Sequence, residues 1–203
     1  MGALVPGPPA DRGNDPDRDD PDRDVVALVA QHDMTGALRC LMRRHGTSVY
    51  RYCREALRDA VLAEDVQQQV FLAAFLALPK FGGRSSVRTW LFAIARNRVL
   101  DAAKSRKRAQ KHVEHEAAEE LADPRPLAGD SLDDERLRSA LIECIGKLQP
   151  HVQSALLLRY QQSFTYEEMA EVCDEKSGTL QAQVMRAMPV LRNCIETTTG
   201  GKL

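Results

Sequence analysis

The residues best suited to chemistry lie between Arg84 and Lys111. Nine Lys/Arg (84, 88, 96, 98, 104, 106, 107, 108 and 111) stand there against one acid, Asp101, a net of +8 in a chain whose total is −1. Such a cationic stretch neutralises phosphates and releases their counterions. Phe81, Trp90 and Phe92, interleaved with the charges, offer faces to unstacked bases. A charge run taken alone is a solvated face. The small-residue loop at Gly82-Gly83 and Ser85-Ser86, together with the aromatics, sets nucleic-acid binding beside that reading.

Other chemistries lack their signatures. There is no G-x-x-x-x-G-K-[ST] and no H-E-x-x-H, and the five histidines (32, 45, 112, 115, 151) form no ligand cluster, so no enzyme, cofactor or metal is expected. Cys40, Cys53, Cys144, Cys173 and Cys194 are odd in number and never in a C-x-x-C pair. That fits a reducing cytosol and argues against a disulfide framework and a zinc ribbon. Cys40, Cys53 and Cys144 fall on apolar helix faces as buried thiols, and His45 lies on an apolar stripe as a core histidine. No apolar run approaches the ~18 residues of a membrane span, and no signal peptide opens the chain. A cytoplasmic protein without membrane insertion is expected.

The positioning elements are helical throughout, which predicts an all-α protein. Val66, Val70, Phe71, Ala74, Phe75 and Leu78 recur at three- and four-residue spacings from about 63 to 78, and Pro79 and Gly82-Gly83 end that helix. The next starts near Val87, with Leu91, Ala95, Val99 and Ala102 inward and Asn97, Asp101, Lys104 and Arg108 on its polar face. Upstream, Asp24 is placed to cap a helix to His32, and a second helix runs from Thr35 to about Asp59, with Gly46-Thr47-Ser48 as a kink or break. Residues 25–111 thus make one small helical domain. Residues 1–24, Pro-rich and with a net of −4, read as a disordered acidic arm, a solubilising leader or a screen for the basic helix. Residues 112–131 read as an acidic linker. A second helical domain occupies 132–196, opening near Ser131. It continues through Pro150 to Tyr160, then a capping box at Thr165 and Glu168, a turn at Asp174 to Lys176, and a helix capped by Ser177 with Leu180, Val184, Ala187 and Leu191 inward. This is helix-turn-helix spacing, with a flexible tail at 197–203.

These residues carry a resemblance. AEDVQQQVFLAAFLALPKF followed by GGRSSVRTWLFAIARNRVLDAAKSRKR is similar to region 2 of the extracytoplasmic-function (ECF) sigma factors, promoter-recognition subunits of bacterial RNA polymerase. LLLRY, YEEMA and SGTL resemble region 4 of the same family. The resemblance implies that Asp65, Gln68, Phe71 and Phe75 contact the clamp helices of the largest polymerase subunit, with one of the two phenylalanines serving as core instead. It implies that Phe81 to Arg88, with Arg84 and Ser85, capture an unstacked base of the minus-ten element. Arg88, Trp90, Arg96, Asn97, Lys104 and Arg108 would hold the melted strand, with Asn97 reading a base and Trp90 weighed as core. Arg159, Ser177, Thr179, Gln181, Gln183 and Arg186 would meet the upstream element. Promoter DNA, core polymerase and an anti-sigma factor are the implied partners.

The sequence departs from the family pattern in three places. Gln69 replaces a common acid. Residues 137–203 carry no net charge, so the second domain is short of phosphate contacts. Pro189 is expected to kink or stop the last helix near Met188, at roughly 3 kcal/mol if forced through. A sigma-like decoy, binding polymerase or an anti-sigma factor with little upstream recognition, is the competing reading.

Overall fold

Asp33 opens the first long helix by accepting a hydrogen bond from the Gly36 amide at 2.8 Å, so the chain turns at once into regular structure. The computed structural model describes residues 21–113 and 132–201. It contains eight α-helices: α1 (Arg23–Ala30), α2 (Met34–Leu57), α3 (Ala60–Ala77), α4 (Val87–Val113), α5 (Leu132–Gly146), α6 (Pro150–Leu156), α7 (Tyr166–Cys173) and α8 (Ser177–Thr199). No strand occurs among the described residues. The arm before residue 21 and the linker from 114 to 131, including the proposed Ser131 cap, lie outside them.

Helices α1 to α4 form the first bundle, with α2 packed on α1, α3 and α4. Its centre is Leu41, Val49, Tyr52, Val66, Val70, Leu91 and Phe92, all essentially inaccessible. Asp59 caps α3 through the Leu62 amide, three residues before the expected start. Ser86 caps α4 through the Thr89 amide at 3.0 Å. Gly83, at φ 66°, takes the left-handed conformation that lets the loop turn between α3 and α4.

Four expectations are corrected here. Helix α2 runs unbroken through Gly46, whose carbonyl accepts from Gln67 Nε2 at 2.8 Å, so the small residues seat α3 rather than breaking α2. Asp24 does not open α1 as a cap for the third amide. It accepts from the next amide, Val25, and pairs with Arg44. The arm does not reach Asp24, because Asp22 is buried against His45 and Arg44. His45 is thereby a satisfied core histidine, as expected. Finally, Ala60–Lys80 is long and apolar enough by length and composition to cross a membrane, with mean hydropathy 1.3. Its two acids and three glutamines, Glu64, Asp65, Gln67, Gln68 and Gln69, interrupt the apolar run. Ala63, Val66, Val70, Phe71 and Ala74 are buried within the bundle.

Helices α5 to α8 form the second bundle, and its buried residues continue the core of the first. Helix α6 widens at its end into a π-turn over Leu157–Gln161, short of the regular helix expected to Tyr160. The capping box at Thr165 and Glu168 is present in both directions. Asp174, at φ 53°, closes α7 in the left-handed region. Ser177 makes no cap; Lys176 occupies that position without a side-chain bond. Helix α8 does not stop at Met188. It continues past Pro189 to Thr199 because Leu191 is buried beyond the proline and Ile195 packs on the core, and burial offsets the lost hydrogen bond.

Candidate nucleic-acid interface

Helix α4 presents Asn97, Arg98, Asp101, Lys104, Lys107 and Arg108 to solvent on one side, while Leu91, Phe92, Ala95 and Val99 face the core. This is the polar face the spacing predicted. Arg84 is exposed and Ser85 half-buried in the preceding loop. Trp90 is half-buried and packs at 5.1 Å on the Phe81 ring, so it props the loop rather than standing open as a stacking platform.

Helix α3 supplies a different surface. Val61, Leu72 and Leu76 are 73%, 61% and 68% exposed. With Asp65 and Gln68 they follow one another at three- and four-residue steps, which places them on one stripe. Phe71 is buried, as one of the two phenylalanines was expected to be, and Phe75 is half-buried. Leu72 and Leu76 are the side chains sequence reasoning missed. Their signal was present: a helix apolar on all sides must turn one apolar side outward unless it is enclosed. Beside the stripe, between α3 and α4, runs a groove of about 640 Å³ lined by Asp59, Asp65, Gln69, Arg98, Asp101 and Arg106.

Two arginines of α4 do not face solvent. Arg88 donates to the Gln162 carbonyl, and its guanidinium lies 3.8 Å from the centre of the Phe164 ring. Burial lowers its pKa, and the nearby charges of Glu168 and Asp22 oppose that shift without cancelling it. Arg96 is buried and pairs with Glu175 at 3.5 Å. Both residues thus serve the junction between the bundles. Tyr52 and Ser154 share a 2.6 Å hydrogen bond across it, and burial pushes the Tyr52 phenol pKa up. Phe92 meets Tyr52 and Phe164 edge-on at 5.7 and 5.2 Å. Gly146 lies so close to the Arg58 guanidinium that a Cβ there would meet Nη1 at 2.2 Å.

Residues 41–109 match the family model of Sigma-70 region 2, and residues 138–188 that of Sigma-70, region 4. The probable RNA polymerase sigma-C factor of Mycobacterium bovis is 32% identical over 170 residues, covering 82% of this chain and 88% of its own. The chain belongs to the ECF sigma factors of RNA polymerase. The sigma-E factor of Escherichia coli is 29% identical over 143 residues, covering 65% of this chain and 73% of its own. CnrH, solved with the cytosolic domain of CnrY, superposes with a TM-score of 0.64 at 22% identity, over 87% of this chain and 97% of that one. RpoE of Bartonella quintana, solved with the anti-sigma factor NepR, gives 0.62 at 20%, over 86% and 95%. Both share the fold. As a sigma factor the chain directs polymerase to promoters through its region 2 and region 4 domains.

In region 4 of this sigma factor, Thr179, Gln181 and Arg186 are exposed on α8, while Ser177 is half-buried. Gln183 is half-buried and donates to Glu175 at 3.2 Å. Arg159 corrects its expectation: it is buried, donates to the Phe164 carbonyl at 2.8 Å and lies 4.8 Å from the centre of the Tyr166 ring. It lies within the π-turn Leu157–Gln161. The exposed apolar residues of this helix, Met185, Met188 and Val190, stand where the charge deficit was noted. The cysteine expectation is also overturned, since Cys144 and Cys194 form a disulfide between α5 and α8. Scattered spacing hid it, because the partners are 50 residues apart in sequence and only the fold brings them together.

Proposed function

We propose that this sigma factor engages core polymerase through the outward stripe of α3, with Asp65 and Gln68 pairing with clamp-helix side chains and Leu72, Phe75 and Leu76 as apolar anchors. The exposed side of α4, Asn97, Lys104 and Arg108 foremost, takes the melted minus-ten strand, and the loop at Arg84 and Ser85 receives its unstacked base. Strand separation draws on binding unpaired bases, and no catalytic step belongs to this chain. It works in the cytoplasm. The observation that carries the reading is the side-by-side exposure of an apolar-amide stripe on α3 and a cationic face on α4. Arg88 and Arg96 join the DNA face only after the two bundles separate, so promoter binding requires opening. In region 4, Thr179, Gln181, Gln183 and Arg186 approach the upstream element, with glutamines able to read adenine edges.

Relatives of this fold have been solved with an anti-sigma factor and with the cytosolic domain of CnrY, and we infer that a similar inhibitory partner holds this chain closed. The neutral, methionine-bearing α8 also favours a second reading, in which the chain binds polymerase but recognises the upstream element poorly. Run-off transcription with purified core polymerase and a promoter library tests both. Selective transcripts that vanish with Asn97→Ala support the first. Tight core binding with no transcript overturns it and installs the second.

A further inference from the structure

We propose that Cys144 and Cys194 are a reversible thiol–disulfide site that latches the far half of α8 onto α5. Three observations converge on it. The two residues are bonded, with Cα atoms 5.9 Å apart. Cys144 is buried and Cys194 is half-buried, so Cys194 is the more exposed of the two residues. Pro189 lies five residues before Cys194 and removes a helical hydrogen bond. The stretch beyond it therefore depends on tertiary attachment, and the bond to α5 is the covalent part of that attachment.

Two of the other thiols, Cys53 and Cys173, are buried and do not compete. Burial pushes Cys53 up to about 12 and Cys173 up to about 11, so both remain protonated and inert. Cys40 is a free, half-buried cysteine on α2 and makes a natural control.

The exchange balances with a low-molecular-weight disulfide as oxidant. The Cys194 thiolate attacks one sulfur of RSSR, forms a mixed disulfide and releases RS⁻. Cys144, on losing its proton, attacks the Cys194 sulfur and displaces the second RS⁻. Two protein thiols and RSSR become one protein disulfide and two RSH. Reduction reverses each step.

The full chain is equilibrated in oxidised and reduced glutathione mixtures, acid-quenched, alkylated under denaturing conditions and mapped by peptide mass spectrometry. Amide exchange is followed in parallel. The expected result is interconversion confined to the Cys144 and Cys194 peptides, with exchange over 189–200 at least about tenfold faster in the reduced chain. Cys194→Ser should exchange fast in both buffers, and Cys40→Ser should respond like the natural chain. Failure of the bond to form in oxidised glutathione overturns the proposal, as does equal exchange in both states. Should Cys194→Ser not fold, the natural chain with and without reductant decides alone.

Discussion

The two bundles belong to one family of DNA-directed proteins yet face DNA on different terms. Region 2 exposes Lys104, Lys107, Arg98 and Arg108 on one side of α4 and buries Tyr52, Phe71 and Phe92. Region 4 has no net charge over 137–203 and exposes Met185, Met188 and Val190 on its recognition helix. The difference teaches that charge near a helix is not charge on a surface. Arg88 and Arg96 count toward the +8 of 84–111, but both are turned toward region 4, which uses them as a junction. The basic domain lends cations to the neutral one, and those cations are withdrawn from the proposed DNA face.

The largest expected effect removes the ring they share. Phe92 is fully buried between Tyr52 and Phe164. Phe92→Ala should cost about 3–5 kcal/mol through lost contacts and a residual cavity. Urea unfolding followed by far-ultraviolet circular dichroism would read it. A cost below about 1 kcal/mol would mean the two bundles do not share a core.

Next comes the contrast in DNA use. Asn97→Ala should lower run-off transcription roughly 10- to 100-fold, as expected for a base contact of about 1–3 kcal/mol. Lys104→Ala should lower the salt slope of promoter binding by about one. Gln181→Ala in region 4 should cost only a few-fold. Equal losses in the two domains would erase the contrast and restore a full upstream contact to α8.

The N-terminal edge of region 2 carries a pH prediction. Burial of Asp22 opposes its ionisation, but hydrogen bonds from His45 and Arg44 outweigh it and hold the carboxyl below 3.8. The Arg44 hydrogen bond likewise brings Asp24, largely in solvent, down to about 2. A depressed folded-state pKa gives stability that is complete above roughly pH 4 and lost as the pH falls through the lowered value. Asp22→Asn should therefore cost about 1–3 kcal/mol near neutrality and flatten the loss between about pH 4 and 2. An unchanged acid limb in denaturant titrations would show that Asp22 is not held as a carboxylate.

Much of this was legible in residue patterns. Helical spacing gave the inward faces of α4 and α8 and the polar face of α4, because periodicity reports a single helix's own environment. Local rules failed where tertiary contact decides. Pro189 was expected to kink or stop α8 near Met188, but the helix runs on to Thr199, with Leu191 buried and Cys194 bonded to Cys144. The resemblance implied that Arg96 holds the melted strand and Arg159 meets the upstream element, yet both are buried, because motif and spacing do not show which side chains a second bundle covers. Leu72 and Leu76 were passed over for Phe71 because an all-round apolar helix does not say which side is out.

The smallest effect tests the junction itself. Arg96 pairs with Glu175 at 3.5 Å, while its Nε is buried without a hydrogen-bond partner among the described residues. Desolvating the guanidinium offsets most of what the pairing returns, and Glu175 is still about one-third exposed. A double-mutant cycle of Arg96→Met and Glu175→Gln should give a coupling of about 0.5 kcal/mol and no more than about 1 kcal/mol. So weak a tie suits the proposed opening, in which the junction parts and Arg96 joins the DNA face. In small-angle scattering, Arg96→Met should leave the radius of gyration nearly unchanged, because the aromatic contact of Phe92 with Phe164 still holds the bundles together. A coupling of 3 kcal/mol or more would instead make the ion pair the lock, and opening for DNA would then have to begin by breaking it.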